Sequence, residues 1–253
     1  MRRSILIICL LLSPALLANE PLITDRPDQT ESASIVPTGT VQLESGLLDA
    51  DGSDNLAGAS LFRIGLAQRL ELRIGLDEWP LQGADRSVDS SIGAKLSFRE
   101  NDGRKPAIAL LASISQRVGG QPANSANKLR PTLRLALSNR LNDRFSLGYN
   151  VGLKTVSRLQ IVGAPPPGQE HLLSRSFWTL SCGYSASDKI GLFVEAFGEQ
   201  ALSDDQPTES SLNGGITWLL RPRIQLDLYV GGGLAEASAD SFVGAGVSYR
   251  WPR

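Results

Sequence analysis

The chain of 253 residues is nearly neutral, with 25 lysine and arginine side chains against 26 aspartate and glutamate side chains and a formal net charge of −1. This balance provides no strongly basic surface for nucleic acid, and we expect no such partner. The mean hydropathy of −0.07, with no long apolar stretch beyond the N-terminus, excludes a helical membrane protein. A membrane-spanning β-barrel stays possible, because alternating apolar and polar residues average to a neutral hydropathy.

Residues 1–18 have the organisation of a secretory signal peptide. Arg2 and Arg3 are basic, residues 5–12 are apolar, and Ala18 is a small residue in front of the expected cleavage point. The apolar stretch is too short to span a membrane as a helix. Cleavage would leave Cys182 as the only cysteine, which excludes an intramolecular disulfide in the mature chain.

Residues 19–39 precede the first predicted strand and show no apolar period. They carry four closely spaced charges, at Asp25, Arg26, Asp28 and Glu31. One interpretation is a tail in the periplasm. The other is a segment that enters or caps the periplasmic mouth of a barrel, because charges can be paired inside a polar lumen but not in lipid. Both interpretations stay open from the sequence.

Residues 40–251 alternate apolar and polar side chains in twelve segments, each of roughly 9–12 residues, which is the length that a tilted strand needs to cross a bilayer. The seventh segment is the clearest, with Phe145 and Leu147 on one face and Ser146 and Gly148 on the other. The predicted strands are residues 40–49, 57–67, 70–77, 87–98, 107–117, 129–138, 145–154, 173–184, 189–199, 210–219, 224–233 and 241–251. The sequence therefore predicts an all-β fold, a single antiparallel transmembrane β-barrel of about twelve strands.

Short and long connections alternate between these segments. Only Gln68 and Arg69 separate the second and third segments, whereas residues 155–172 separate the seventh and eighth. Short periplasmic turns and long external loops are typical of outer-membrane barrels, whereas a secreted β-sandwich, the competing fold, has no reason to show them. An even strand count also predicts that both chain ends are periplasmic.

The last segment ends with Tyr249 and Trp251 on its apolar face. It resembles the C-terminal signal read by the outer-membrane assembly machinery, although Pro252 and Arg253 follow the final aromatic residue. We therefore expect that machinery and outer-membrane lipid as partners, and the cell outer membrane of a Gram-negative-type bacterium as the location. Aromatic residues on the apolar faces are predicted to form a girdle at the membrane interface; they are Trp178, Trp218, Tyr249 and Trp251.

The inward faces of the predicted strands carry many charges. Either they form ion pairs that fill a narrow lumen, or they line a channel and set its charge preference. These predicted lumen residues are Glu44, Arg63, Glu71, Arg73, Asp89, Lys95, Arg130, Arg134, Lys154, Glu195, Glu199, Asp227 and Arg250.

The sequence predicts no catalytic centre. Lipid-modifying barrels need a serine with a base in reach, and the only histidine, His171, falls in a predicted external loop. One histidine and one mature cysteine do not supply the usual zinc ligands, so we expect no metal site and no cofactor.

Four stretches resemble one known family. They are Ile23-Thr-Asp-Arg-Pro-Asp-Gln-Thr-Glu-Ser32, Val36-Pro-Thr-Gly-Thr-Val-Gln-Leu-Glu-Ser-Gly46, Arg69-Leu-Glu-Leu-Arg-Ile-Gly75 and Gly244-Ala-Gly-Val-Ser-Tyr-Arg-Trp251. They are similar to the outer-membrane transporter family named for a MetA-pathway of phenol degradation. The resemblance implies a β-barrel that admits small solutes, aromatic or otherwise. We predict a porin-like transporter for passive passage or binding of such solutes; the alternative is a structural or lipid-modifying barrel with a plugged lumen.

Overall fold

The computed structural model describes residues 22–51, 56–81, 88–103, 105–118, 128–157, 172–203 and 207–251. The predicted signal peptide and His171 lie outside these ranges. The described part of the chain contains no helix that is long and apolar enough to cross a membrane.

Twelve strands form one closed antiparallel barrel in which each strand pairs with its chain neighbours and the last pairs with the first. The predicted fold class is therefore confirmed. The strands are β1 (Val41–Ala50), β2 (Ala57–Ala67), β3 (Leu70–Pro80), β4 (Val88–Arg99), β5 (Ala107–Val118), β6 (Arg130–Arg140), β7 (Phe145–Ser157), β8 (Leu172–Ser185), β9 (Ile190–Ala201), β10 (Glu209–Arg221), β11 (Ile224–Gly233) and β12 (Phe242–Arg250).

The barrel exposes its apolar side chains and buries its charges. On β11, Leu228 and Val230 are 51% and 59% exposed, whereas the alternate residues Gln225 and Asp227 are 8% and 4% exposed. Because side chains alternate across a strand, one face of the sheet meets lipid and the other meets the lumen. The large apolar outer surface is therefore the lipid-facing surface of a membrane barrel.

The two ends of the barrel differ in their connections. Gln68 and Arg69 alone join β2 to β3, and Pro222 and Arg223 alone join β10 to β11. We call the end with these short connections the turn end and the opposite end the loop end. Gln42 pairs with Arg250, so the start of β1 and the finish of β12 both lie at the turn end. The segment before β1 therefore approaches the lumen from this end.

Candidate functional site: the lumen and the segment inside it

Residues 22–40, which we call the lumen segment, lie inside the barrel. Asp25 and Thr30 are both 7% exposed and Val36 is 1% exposed. The segment has no regular secondary structure, so its backbone groups and charges need partners from the barrel wall. Arg26 lies where side chains at Gly46 and Gly246 would overlap it, so two inward glycines give it room.

Asp25 is the main ionic contact of the lumen segment. Its Oδ2 lies 2.7 Å from Arg73 Nη1, 2.8 Å from Lys95 Nζ and 3.1 Å from Arg63 Nη1. Its Oδ1 accepts hydrogen bonds from the backbone and the hydroxyl group of Ser32. Burial alone would raise the pKa of Asp25, but the surrounding cations outweigh it and hold that pKa well below its usual range.

Two further charged residues of the lumen segment, Glu31 and Arg26, form ion pairs with different parts of the wall. Glu31 lies 2.8 Å from Arg73 Nη2 and 3.5 Å from Lys95 Nζ. Arg26 Nη2 lies 3.1 Å from Asp227 Oδ1 on β11. The segment is thereby tied to β3 and β4 on one side and to β11 on the other.

Carboxylates on the wall also accept hydrogen bonds from the segment's backbone. Glu44 accepts from the amides of Asp25 and Arg26, and Glu195 accepts from the amides of Gln29 and Thr30. Glu71 accepts from the amide of Val36 at 2.9 Å. The amide oxygen of Asn150 accepts from the backbone amide of Glu31 at 2.8 Å. These side chains replace the partners that a helix or a sheet would supply.

Asp28 is bound differently from the other acidic residues of the segment. Ser181 Oγ donates a hydrogen bond to its Oδ2 at 2.6 Å, and no cation lies within 4 Å of it among the described residues. Burial, reinforced by the nearby carboxylates of Glu195 and Asp227, raises the pKa of Asp28 to about 7. Asp28 also borders a cavity of about 670 Å³ on the turn side of the segment, where Arg140 is among the lining residues.

On the loop side of the lumen segment, the wall carries two ionic clusters. Asp89 lies 2.8 Å from Arg130 and 3.5 Å from Arg117. In the second cluster, Glu199 pairs with Lys154 and with Arg175, and Arg175 also pairs with Glu209 at 2.7 Å. Four described cations in this half of the lumen are thereby neutralised.

The thirteen predicted lumen residues all lie on the inward faces of the strands, in three groups. Eight contact the lumen segment: Glu44, Arg63, Glu71, Arg73, Lys95, Arg134, Glu195 and Asp227. Four belong to the two loop-side clusters: Asp89, Arg130, Lys154 and Glu199. The last, Arg250, donates a hydrogen bond to Gln42 at 2.9 Å. The four charges predicted for the segment itself, at Asp25, Arg26, Asp28 and Glu31, all reach wall residues.

The sequence reading missed a row of aromatic side chains inside the barrel. Phe242 lies 6.3 Å from Phe197 and 6.4 Å from Tyr229, measured between ring centroids. Phe177 is 8% exposed and lies 4.8 Å from the guanidinium carbon of Arg134. We call Phe177, Phe197, Tyr229 and Phe242 the aromatic wall. The alternation that identified the inward charges places these rings inward as well, so the same signal could have found them.

The aromatic residues predicted for the girdle face outward. Trp178, Trp218 and Trp251 are 44%, 45% and 39% exposed, and Trp251 packs edge-on against Tyr249 at 4.9 Å. Trp218 and Trp251 lie near the turn end, whereas Trp178 lies nearer the middle of β8. Within the described residues, no group of three His, Cys, Asp or Glu side chains is arranged to hold a metal ion.

Known proteins resemble this chain in sequence and in fold. The family model described as "Putative MetA-pathway of phenol degradation" matches residues 24–251. No curated protein matches the sequence. The NanC porin superposes with a TM-score of 0.61 at 9% identity, over 83% of this chain and 98% of that one.

Two further solved structures share the fold. The COG4313 outer membrane channel from Pseudomonas putida F1 has a TM-score of 0.60 at 12% identity, over 89% of this chain and 99% of that one. The KdgM porin has a TM-score of 0.56 at 13% identity, over 83% and 99%. The fold is thus that of outer-membrane barrels, and the predicted location in the cell outer membrane is confirmed. Because the family model covers nearly the whole described chain, this protein belongs to the outer-membrane family described as the putative MetA-pathway of phenol degradation.

Proposed function

We propose that this barrel passes small solutes across the outer membrane and that the lumen segment opens and closes the path. The observation that carries the proposal is the kind of contact that holds the segment. Many ion pairs and hydrogen bonds hold it, and the cluster of buried apolar residues that it joins is small, Ala33 with Ala107 and Ala109. Polar partners can be exchanged for water when the segment moves, whereas a packed apolar core cannot.

The competing function is a structural barrel whose lumen stays closed. The cavity of about 670 Å³ beneath the segment favours passage, because it extends the polar path from the turn end to Asp28 and Ser181. We assign no catalytic step to the lumen, since its described residues supply ion pairs and aromatic rings without a serine–histidine pair.

The aromatic wall supports small aromatic compounds as the solutes. Its rings offer flat apolar faces in an otherwise polar lumen, and such faces bind planar rings by offset or edge-on packing. The family description, which refers to phenol degradation, points the same way.

The KdgM porin has a structure in complex with oligogalacturonate. A polyanion of that kind would need several cations free of carboxylates, and eight cations inside this barrel already have one within 4 Å.

Uptake into liposomes tests this proposal. We expect the protein to admit small neutral and aromatic solutes faster than empty liposomes do, and a variant lacking residues 22–38 to admit them faster still. A solute too large for the barrel is the control for leakage. If both proteins are folded, as judged by heat-modifiable migration on a gel, and neither admits solute, the channel function is wrong and the structural alternative gains support.

A further inference from the structure

We propose that the loop side of the lumen segment binds aromatic monocarboxylates, with the carboxylate at Arg134 and the ring on the aromatic wall. The inference deepens the proposed function and rests on it, because it names the class of solute that would bind at this site on its way through the barrel. It assigns to Arg134 a role that differs from that of the neighbouring cations.

Arg134 differs from the eight paired cations described above because its charge has no close counter-charge. Its Nη1 donates to the carbonyl oxygen of Gln29 at 2.7 Å and to Asn150 Oδ1 at 2.9 Å. No carboxylate lies within 4 Å of its guanidinium group in the described part of the chain. A guanidinium group that is satisfied only by neutral acceptors is suited to bind an incoming carboxylate through its remaining N–H groups.

The nearest carboxylates are engaged elsewhere. Glu31 is paired with Arg73 and Lys95. Glu195 accepts hydrogen bonds from Thr30 and Asn213, and Glu199 is paired with cations of the loop-side cluster. An added carboxylate at Arg134 would therefore not have to displace a carboxylate from that guanidinium group.

The strand register places the aromatic wall beside this cation. Arg134 pairs with Gly152 on β7, and Gly152 pairs with Phe177 on β8. A side chain at Gly152 would overlap the Phe177 ring, so the glycine lets that ring lie across β7 and reach the guanidinium group. An aromatic ring and a cation thus share one row of the wall, and the cation contacts the backbone of Gln29.

The wall continues away from Arg134 along the next strands. Phe197 pairs with Thr179 and Phe177 pairs with Glu199, so the two rings occupy diagonal positions on β8 and β9. Such positions lie about 7–8 Å apart, within reach of aromatic side chains. Phe242 is half-buried and crosses Gly231 towards Phe197, so these two rings present partly accessible faces to the lumen.

This arrangement selects for one charge and one ring. A neutral phenol would leave Arg134 without its counter-charge, and an aliphatic carboxylate would leave the aromatic faces without a planar partner. A polyanion would need several such groups, and eight described cations of the barrel are already paired with carboxylates. Benzoate is the simplest probe that meets both requirements.

Equilibrium dialysis of the folded protein in detergent micelles, with radiolabelled benzoate and empty micelles as the blank, measures this site directly. We expect Arg134→Gln to weaken benzoate binding by about tenfold or more, since a charge-assisted hydrogen bond is lost. Arg134→Lys should restore part of the affinity. Arg117→Gln removes the same charge from the loop-side half of the lumen and is the matched control, which should bind as the parent does.

Cyclohexanecarboxylate and benzyl alcohol, each lacking one of the two features, should both bind more weakly than benzoate. Equal affinity of the parent and Arg134→Gln, or of benzoate and benzyl alcohol, would overturn the proposal.

The two proposals, the channel and the binding site, can fail separately. Benzoate binding that depends on Arg134 in a protein that conducts no solute would leave the site intact and reject the channel. Conversely, the protein could admit solutes while Arg134→Gln and the parent take up benzoate at the same rate and benzyl alcohol at the same rate. That result would reject the site and keep the channel.

Discussion

Replacing Asp25 by asparagine should release the lumen segment. The substitution keeps the shape of the side chain and removes the charge that Arg63, Arg73 and Lys95 share at 2.7–3.1 Å. Breaking a buried ionic network by removing one partner costs roughly 3–5 kcal/mol. We expect the low end, about 3 kcal/mol, because all three cations keep another carboxylate, from Glu31, Glu44 or Glu71. That loss corresponds to a roughly 100-fold larger population of molecules in which the segment has left the lumen.

A cysteine at position 33 reports this population. Ala33 is 1% exposed and packs against Ala107 and Ala109, so a small thiol placed there reacts only when the segment leaves the lumen. In a chain whose native Cys182 is replaced by serine, Asp25→Asn should raise the rate of labelling by a thiol reagent by roughly 100-fold.

Glu31→Gln is the matched control for this experiment. It removes the same charge from the same segment, but the Glu31 side chain is 21% exposed against 4% for Asp25, so solvent compensates for part of the loss. We expect less than a tenfold increase in labelling. A labelling rate unchanged by Asp25→Asn, or equal for the two substitutions, would refute the view that Asp25 is the main contact holding the segment.

Three further predictions concern the membrane, the pH dependence and the orientation. Val151→Arg on the lipid-facing side of β7 should destabilise the barrel by about 2–4 kcal/mol in urea titrations in lipid, whereas Leu234→Arg in a loop should be tolerated; equal costs would show that the register is wrong. The pKa of Asp28 is raised from 3.8 to about 7 when the segment lies in the lumen, so the segment should be held most strongly below about pH 4 and more weakly as the pH rises from about 4 to 7. Because the thiolate fraction itself rises with pH, the labelling rate at position 33 is divided by that of an exposed cysteine from Glu236→Cys; this ratio should rise between pH 5 and pH 8, and Asp28→Asn should abolish the rise. With cysteines as the sole labelling sites, Glu236→Cys should react on intact cells and Asp143→Cys only after permeabilisation; the reverse pattern would invert the orientation.

The barrel could be predicted from the sequence because its signal is local and repeated. Alternation along β7 and β11 fixes which side chains face lipid, and the two-residue turn at Gln68 and Arg69 fixes the pairing of β2 with β3. The same alternation placed Glu44 and Asp227 in the lumen. These inferences need only neighbouring residues.

The position of the lumen segment could not be decided in this way. Its contacts join residues far apart in the chain, such as Arg26 with Asp227 and Thr30 with Thr179, and it has no period of its own. The glycines that make room for it, Gly46 and Gly246, look like ordinary small inward residues. The sequence alone therefore does not distinguish a periplasmic tail from a segment that fills the lumen.

The central claim is that movement of the lumen segment opens the barrel, and a reversible lock tests it most directly. The hydroxyl oxygens of Thr30 and Thr179 lie 2.8 Å apart, so cysteines at both positions can form a disulfide between the segment and β8. In single-channel recordings of this double variant, with Cys182 replaced by serine, we expect oxidation to hold the channel closed and reduction to restore opening. A fully oxidised protein that conducts as well as the reduced one would contradict the account.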